Sequence, residues 1–178
     1  LLIEEVATLP HYSPPIDSPI DSTDISRDFS VATFVKWQGQ MLLHKHPKLG
    51  LWLPCGGHIE ANELPDDAAV RECLEETGVA IHLVGDKALD VKEPRQLLEP
   101  RQLLETRQLL RPRGVQLETI APGHEHIDLV YLAVPVAGYD GILSPTHGFA
   151  WYAPAQWRGL PLSEEVQAWL ELAHRELP

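Results

Sequence analysis

The chain has 178 residues, 44% of them hydrophobic and 22% charged, with a formal net charge of −12. That composition fits one globular domain with a substantial core, and no apolar run approaches the roughly 18 residues of a membrane span. The acidic balance argues against a nucleic-acid polymer or a membrane surface as partner, since both call for basic footprints. A small phosphorylated ligand stays compatible, because a bound divalent cation inverts the local field.

The opening LLIEEVATLP lacks a basic n-region and carries Glu4 and Glu5, so it does not read as a signal peptide. A start on Leu1 suggests a trimmed or partial chain. Residues 1–28 are rich in Pro, Ser and Asp, and Pro15-Ile16-Asp17-Ser18 repeats at once as Pro19-Ile20-Asp21-Ser22. Such a stretch has little to bury and is expected to be an extended arm or linker, with the folded domain over 29–178. The two cysteines, Cys55 and Cys73, form no C-x-x-C pair, which points to a reduced, cytoplasmic setting.

Regular structure is expected from about Ser30. SVATFVKW and QMLLHKH flank Gln38-Gly39, a hairpin pattern, and Leu51-Trp52-Leu53 makes a short strand closed by Pro54. The Gly56-Gly57 pair follows and allows close backbone approach. A helix is predicted over about Pro65–Thr77. Pro65 suits the first helical position and Asp66 and Asp67 the positive end, although Leu64 is a poor cap; Gly78 ends it. Ala69 and Cys73 should face the core. Val79–Val84 reads as a strand.

Residues 93–110 contain EPRQLL, EPRQLL and ETRQLL. Period six fits neither helix nor strand, so the segment to about 113 is expected to be an expanded loop insertion. Val115–Ile120 and Ile127–Val134 read as strands, Phe149–Tyr152 as a short strand, and Pro154–Arg158 as a helical turn. Ser163 caps a final helix whose apolar positions Val166, Trp169, Leu170, Ala173 and Leu177 lie on one face. This order gives an α/β class with a mixed sheet between helices.

The chemistry concentrates in Gly57–Val79. Glu72, Glu75 and Glu76 stand at i, i+3 and i+4 on the predicted helix, so three carboxylates point one way. Their repulsion is relieved by a cation, and hard oxygen donors favour Mg²⁺ or Mn²⁺ over Zn²⁺. A solvated acidic face is the plainer alternative. The spacing of the whole stretch resembles the Nudix box, G-x5-E-x7-R-E-U-x-E-E-x-G-U, at Gly57, Glu63, Arg71, Glu72, Cys73, Glu75, Glu76, Gly78 and Val79, with Cys73 standing where an aliphatic residue is usual.

The resemblance implies the α/β/α sandwich of the Nudix hydrolases and hydrolysis of a nucleoside diphosphate linked to another moiety: a nucleotide sugar, an ADP-ribose-like compound or a nucleoside triphosphate. It implies Glu72, Glu75, Glu76 and the Gly56 carbonyl as ligands of Mg²⁺ or Mn²⁺, and a Glu63–Arg71 ion pair orienting the catalytic helix. It leaves the general base open among Asp140, His147 and the His124-Glu125-His126 run, Glu125 included, or a box glutamate. His124 and His126 read equally as surface or strand-edge histidines. Lys45 and His46, with His44 and Lys48, either face the phosphates or are ordinary surface residues. Trp52, Trp37 and Tyr131 either stack on a substrate ring or pack the core. Partners are then a small phosphorylated substrate and, in assembly, a second copy in a homodimer. The competing reading is a Nudix-fold binding or regulatory module without catalysis.

Overall fold

A computed structural model describes residues 25–47, 49–87, 108–144 and 148–178. The strands are β1 (Ser26–Trp37), β2 (Gln40–Lys45), β3 (Trp52–Leu53), β4 (Cys55–His58), β5 (Ile81–Val84), β6 (Gly114–Ala121), β7 (His124–Pro135) and β8 (Ala150–Tyr152). The helices are α1 (Pro65–Thr77), α2 (Pro154–Trp157) and α3 (Glu164–Glu176). The path β3-β2-β1-β7-β5 forms the spine of a mixed sheet, with β4 added to β1, β6 to β7 and β8 to β2.

Alternation along the two central strands builds an α/β/α sandwich. β1 and β7 run parallel, with Val31 beside Leu129 and Phe34 beside Leu132. Val31 and Tyr131 point to α1 and meet Ala68 and Ala69; Val35 and Ala133 share that face with Cys73 and Val79. Phe34, Val130 and Leu132 point the other way and meet Val166, Leu170, Ala173 and Leu177, the apolar face expected of the last helix. Each large aliphatic side chain so buried stabilises the fold by about 1.5–3 kcal/mol. Trp169 of that stripe is partly buried and stacks on Phe34 at 6.2 Å.

Local signals explain most boundaries. Gln38 and Gly39 take φ of 48° and 76°, the positive pair of a two-residue hairpin turn, and Trp37 pairs with Gln40. Leu64 makes no side-chain cap, Pro65 opens α1, and Gly78 closes it at φ 73° with its N–H on the Leu74 carbonyl. Ser163 caps α3 by accepting from the Val166 N–H at 3.2 Å.

Three boundaries differ from expectation. β1 begins at Ser26, not near Ser30, because β7 offers it parallel pairing back to His124. Cys55–His58, where only close backbone approach was expected, is a strand: Gly56 pairs with Ala32, and its bare Cα fits against Val31. His124, Glu125 and His126 lie within β7 rather than ahead of it. The chain ahead of the predicted insertion meets the chain near its end, with Lys87 bridging Leu110 and the Arg111 N–H donating to the Asp86 carbonyl at 3.0 Å. The PIDS repeats, the hexamer repeats up to residue 107, Lys48 and His147 lie outside the described residues. Among the described residues, no helix is long and apolar enough to cross a membrane.

Candidate active site

Arg71, in the middle of α1, organises the acidic cluster. Its Nε and Nη2 donate to Glu63 Oε1 and Oε2 at 2.7 and 2.9 Å. Nη1 donates to Glu72 at 2.9 Å and to Glu75 at 3.1 Å, and Nη2 also reaches the His58 carbonyl at 3.0 Å. All five guanidinium donors are thereby used. Glu63 is held from its other side by the Glu60 N–H at 2.9 Å. The Arg71 charge keeps the Glu63 carboxyl below its usual range, and Glu63 in turn raises the Arg71 guanidinium further.

The two glycines of β4 bring the backbone against this cluster. A Cβ on Gly56 would lie 2.1 Å from the Val31 carbonyl oxygen, and one on Gly57 would lie 2.6 Å from Glu72 Oε1. The space that a side chain would fill at Gly57 is taken by the Glu72 carboxylate. Gly56 donates its N–H to Glu76 Oε2 at 3.1 Å. Burial pushes the Glu76 carboxyl up to about 7; the Gly56 N–H opposes this, and the Glu72 charge adds to it. Cys73, the unusual residue of the stretch, is fully buried beneath α1 and fills an apolar position between Val35, Leu42 and Val79.

The donor set is all oxygen: three carboxylates on one helix beside a glycine strand. One of them is desolvated, and its charge is offset by a single neutral N–H. The chemistry of these oxygen donors suits a small hard dication such as Mg²⁺ or Mn²⁺, which would neutralise Glu76; here Glu72 and Glu75 turn to Arg71 and Glu76 to the Gly56 N–H instead of converging on one point. A family model described as the NUDIX domain matches residues 27–171.

The chain belongs to the Nudix family.

Solved Nudix structures agree with the fold. A NUDIX-family hydrolase from Clostridium perfringens is 29% identical, with a TM-score of 0.67, over 86% of this chain and 99% of that one. The MutT NUDIX hydrolase from Burkholderia pseudomallei is 20% identical at TM-score 0.53, over 86% and 99%. The NUDIX domain of Shewanella oneidensis NrtR, solved with ADP ribose, is 16% identical at TM-score 0.55, over 86% and 90%. Among curated proteins none matches.

On the far side of the Nudix box glycines lies a cavity of about 210 Å³, walled by Gly56, Gly57, His46, Glu118, His126 and Asp128 among others. His46 reaches this cavity; Lys45 and Trp52 are not among its lining residues. Lys45 is exposed at the end of β2, and Trp52 packs edge-on against Tyr152 at 5.4 Å. Trp37 packs on Tyr139 and Trp151, and Tyr131 is buried under α1, its hydroxyl pushed up to about 12 by burial.

Two of the expected bases, Asp140 and Glu125, are otherwise engaged. Asp140 is exposed and accepts the Ile142 N–H within its own loop at 3.1 Å. Glu125 is bound to Arg27 at 2.8 Å and points away from the cavity, on the opposite side of β7 from His124 and His126.

Glu118 is the carboxylate that the sequence reading passed over. It sits on β6 opposite His126 and lines the cavity, and burial pushes its carboxyl up to about 7, helped by the Asp128 and Glu165 charges. The available signals were Gln116 and Glu118 alternating with apolar Val115 and Leu117, and Asp128 interrupting an apolar strand.

Proposed function

We propose that this Nudix chain is a Mg²⁺- or Mn²⁺-dependent hydrolase that cleaves the diphosphate linkage of a nucleoside diphosphate joined to another moiety. The observation that carries the reading is the Arg71 clamp, which gathers Glu63, Glu72 and Glu75 on one guanidinium beside the Gly56–Glu76 contact. Glu72, Glu75, Glu76 and the Gly56 carbonyl would hold the cation. A cation bound there supplies charge neutralisation for the diphosphate and a more acidic water.

The protein's own groups divide the remaining work. Glu63 fixes Arg71, and Arg71 fixes the start of the box to the middle of α1. Gly57 leaves room for the Glu72 carboxylate. Glu118, in the cavity wall with Gly56 and Gly57 and with its carboxyl pushed up to about 7 by burial, is the group we assign to take a proton from water. His46 lines the same cavity, as His126 does, and is a candidate to meet a phosphate bound there.

The test is nucleoside monophosphate release from a panel of nucleotide sugars, nucleoside triphosphates and ADP-ribose, with Mg²⁺ or Mn²⁺. ADP-ribose belongs on that panel because it is the ligand of the Shewanella NUDIX domain. Glu75→Gln and Glu76→Gln should each lower kcat about a hundredfold or more. Wild-type inactivity across the panel would favour a binding module. Full activity in both variants would overturn the metal assignment.

A further inference from the structure

A second cluster of donor groups lies at the end of the sheet, apart from the box glutamates. Asp28 on β1, His58 at the end of β4, and His124 and His126 on β7 each bring one ligand atom within 4.8 Å of all the others. The strand registers impose this. Asp28 pairs with His126 and Ser26 with His124, while His58 pairs with Ser30, so alternate residues of three strands share one face.

The details are those of a coordination site. The Nε2 atoms of His58 and His124 stand 3.2 and 3.1 Å from that of His126. Two nitrogens bound to one tetrahedral zinc at 2.0–2.1 Å are about 3.3 Å apart. Asp28 Oδ2 lies 3.8 Å from His124 Nε2. The Ser26 hydroxyl lies 2.9 Å from His124 Nδ1 and 3.3 Å from the Gly123 carbonyl, so with its proton on the carbonyl its oxygen accepts from His124 Nδ1–H. That leaves the Nε2 lone pair aimed into the cluster, as a buttressed metal-binding histidine requires.

We propose that Asp28, His58, His124 and His126 form a second metal site, selective for a borderline divalent transition ion of the zinc type. Three imidazoles and one carboxylate suit such an ion and not Mg²⁺, which prefers oxygen. The site ties the starts of β1 and β7 to the strand that carries Gly56 and Gly57. Its existence does not depend on the diphosphatase reading, because no box glutamate is a ligand.

The probe is Co²⁺ added to the untagged full chain in excess Mg²⁺, followed by visible absorption and by zinc competition. The expected result is one equivalent of four-coordinate Co²⁺, displaced by zinc, with a higher Tm for the loaded protein. A variant combining Glu72→Gln, Glu75→Gln and Glu76→Gln should keep the bands, and one combining His124→Ala and His126→Ala should lose them. Should the histidine variant fail to fold, His58→Gln on the exposed end of β4 should bind at least about tenfold more weakly; its carbonyl contact to Arg71 is main-chain and survives. Absence of the bands in wild type, their persistence without His124 and His126, unweakened binding in His58→Gln, or their loss in the folded glutamate variant would overturn the site.

Discussion

Arg71 holds both carboxylate oxygens of Glu63, at 2.7 and 2.9 Å, across eight residues of chain. Among the described residues, the same guanidinium is the cation that Glu72 and Glu75 touch, so removing it leaves Glu63, Glu72 and Glu75 without that charge between them. Arg71→Met should therefore destabilise the metal-free protein by about 1–2 kcal/mol, after allowance for solvent screening. The loss should shrink when Mg²⁺ is added, because the cation replaces part of the missing charge. Thermal melts with and without Mg²⁺ check this; an equal loss in both conditions would mean that Arg71 acts by packing alone.

Gly56 and Gly57 predict opposite phenotypes for the same substitution. At Gly56 a Cβ meets the Val31 carbonyl, backbone that cannot move without breaking β1–β4 pairing. Gly56→Ala should cost about 3 kcal/mol or more. At Gly57 the Cβ meets the end of the Glu72 side chain, which can swing aside. Gly57→Ala should fold with Tm within a few degrees of wild type while kcat falls at least tenfold. Denaturant melts beside steady-state rates separate the two cases.

The contrast between these glycines shows what was legible in the sequence. α1 was readable to the residue, because Pro65 and Gly78 act locally and leave the helix little choice. β1 and β7 were readable as strands from their β-rich apolar runs, but a strand buried on both sides does not tell which residue takes which face. The pairing of β4 was not readable: a Gly-Gly pair carries no β signal, and only the fit against Val31 makes it a strand. Nor were the clusters that need register. His58 and His126 meet across 68 residues, and Glu118 enters the cavity only because β6 pairs with β7 as it does. Sequence spacing fixes geometry inside one helix or strand; contacts between strands wait for the register.

Glu76 gives the metal-free protein a pH dependence of definite sign. Its carboxyl loses its proton at 4.5 in the ordinary state and at about 7 when folded. Between those values the folded chain binds more protons than the unfolded one, so stability falls as pH rises through that window. Glu76→Gln should flatten the slope of Tm against pH between 5 and 7 in wild-type comparison. Added Mg²⁺ competes with the proton, so its stabilising effect should grow as pH rises towards about 7 and level off above it. A slope unchanged by the substitution would place the proton elsewhere.

Glu118 offers the sharpest test of who activates water. Its carboxyl is pushed up to about 7 by burial and by the charges of Asp128 and Glu165, so a base there becomes competent as pH rises through neutrality. Glu118→Gln should lower kcat by about a hundredfold with little change in KM. It should also erase the rise of kcat with pH near 7, a signature that a purely structural residue would not carry. Because the amide removes a charge that Asp128 and Glu165 oppose, the same variant should melt at or above the wild-type temperature at pH 8. Lost activity with raised stability is the pattern of a strained functional carboxylate. Unchanged kcat with the pH profile intact would return the role to Asp140, His147 or a box glutamate.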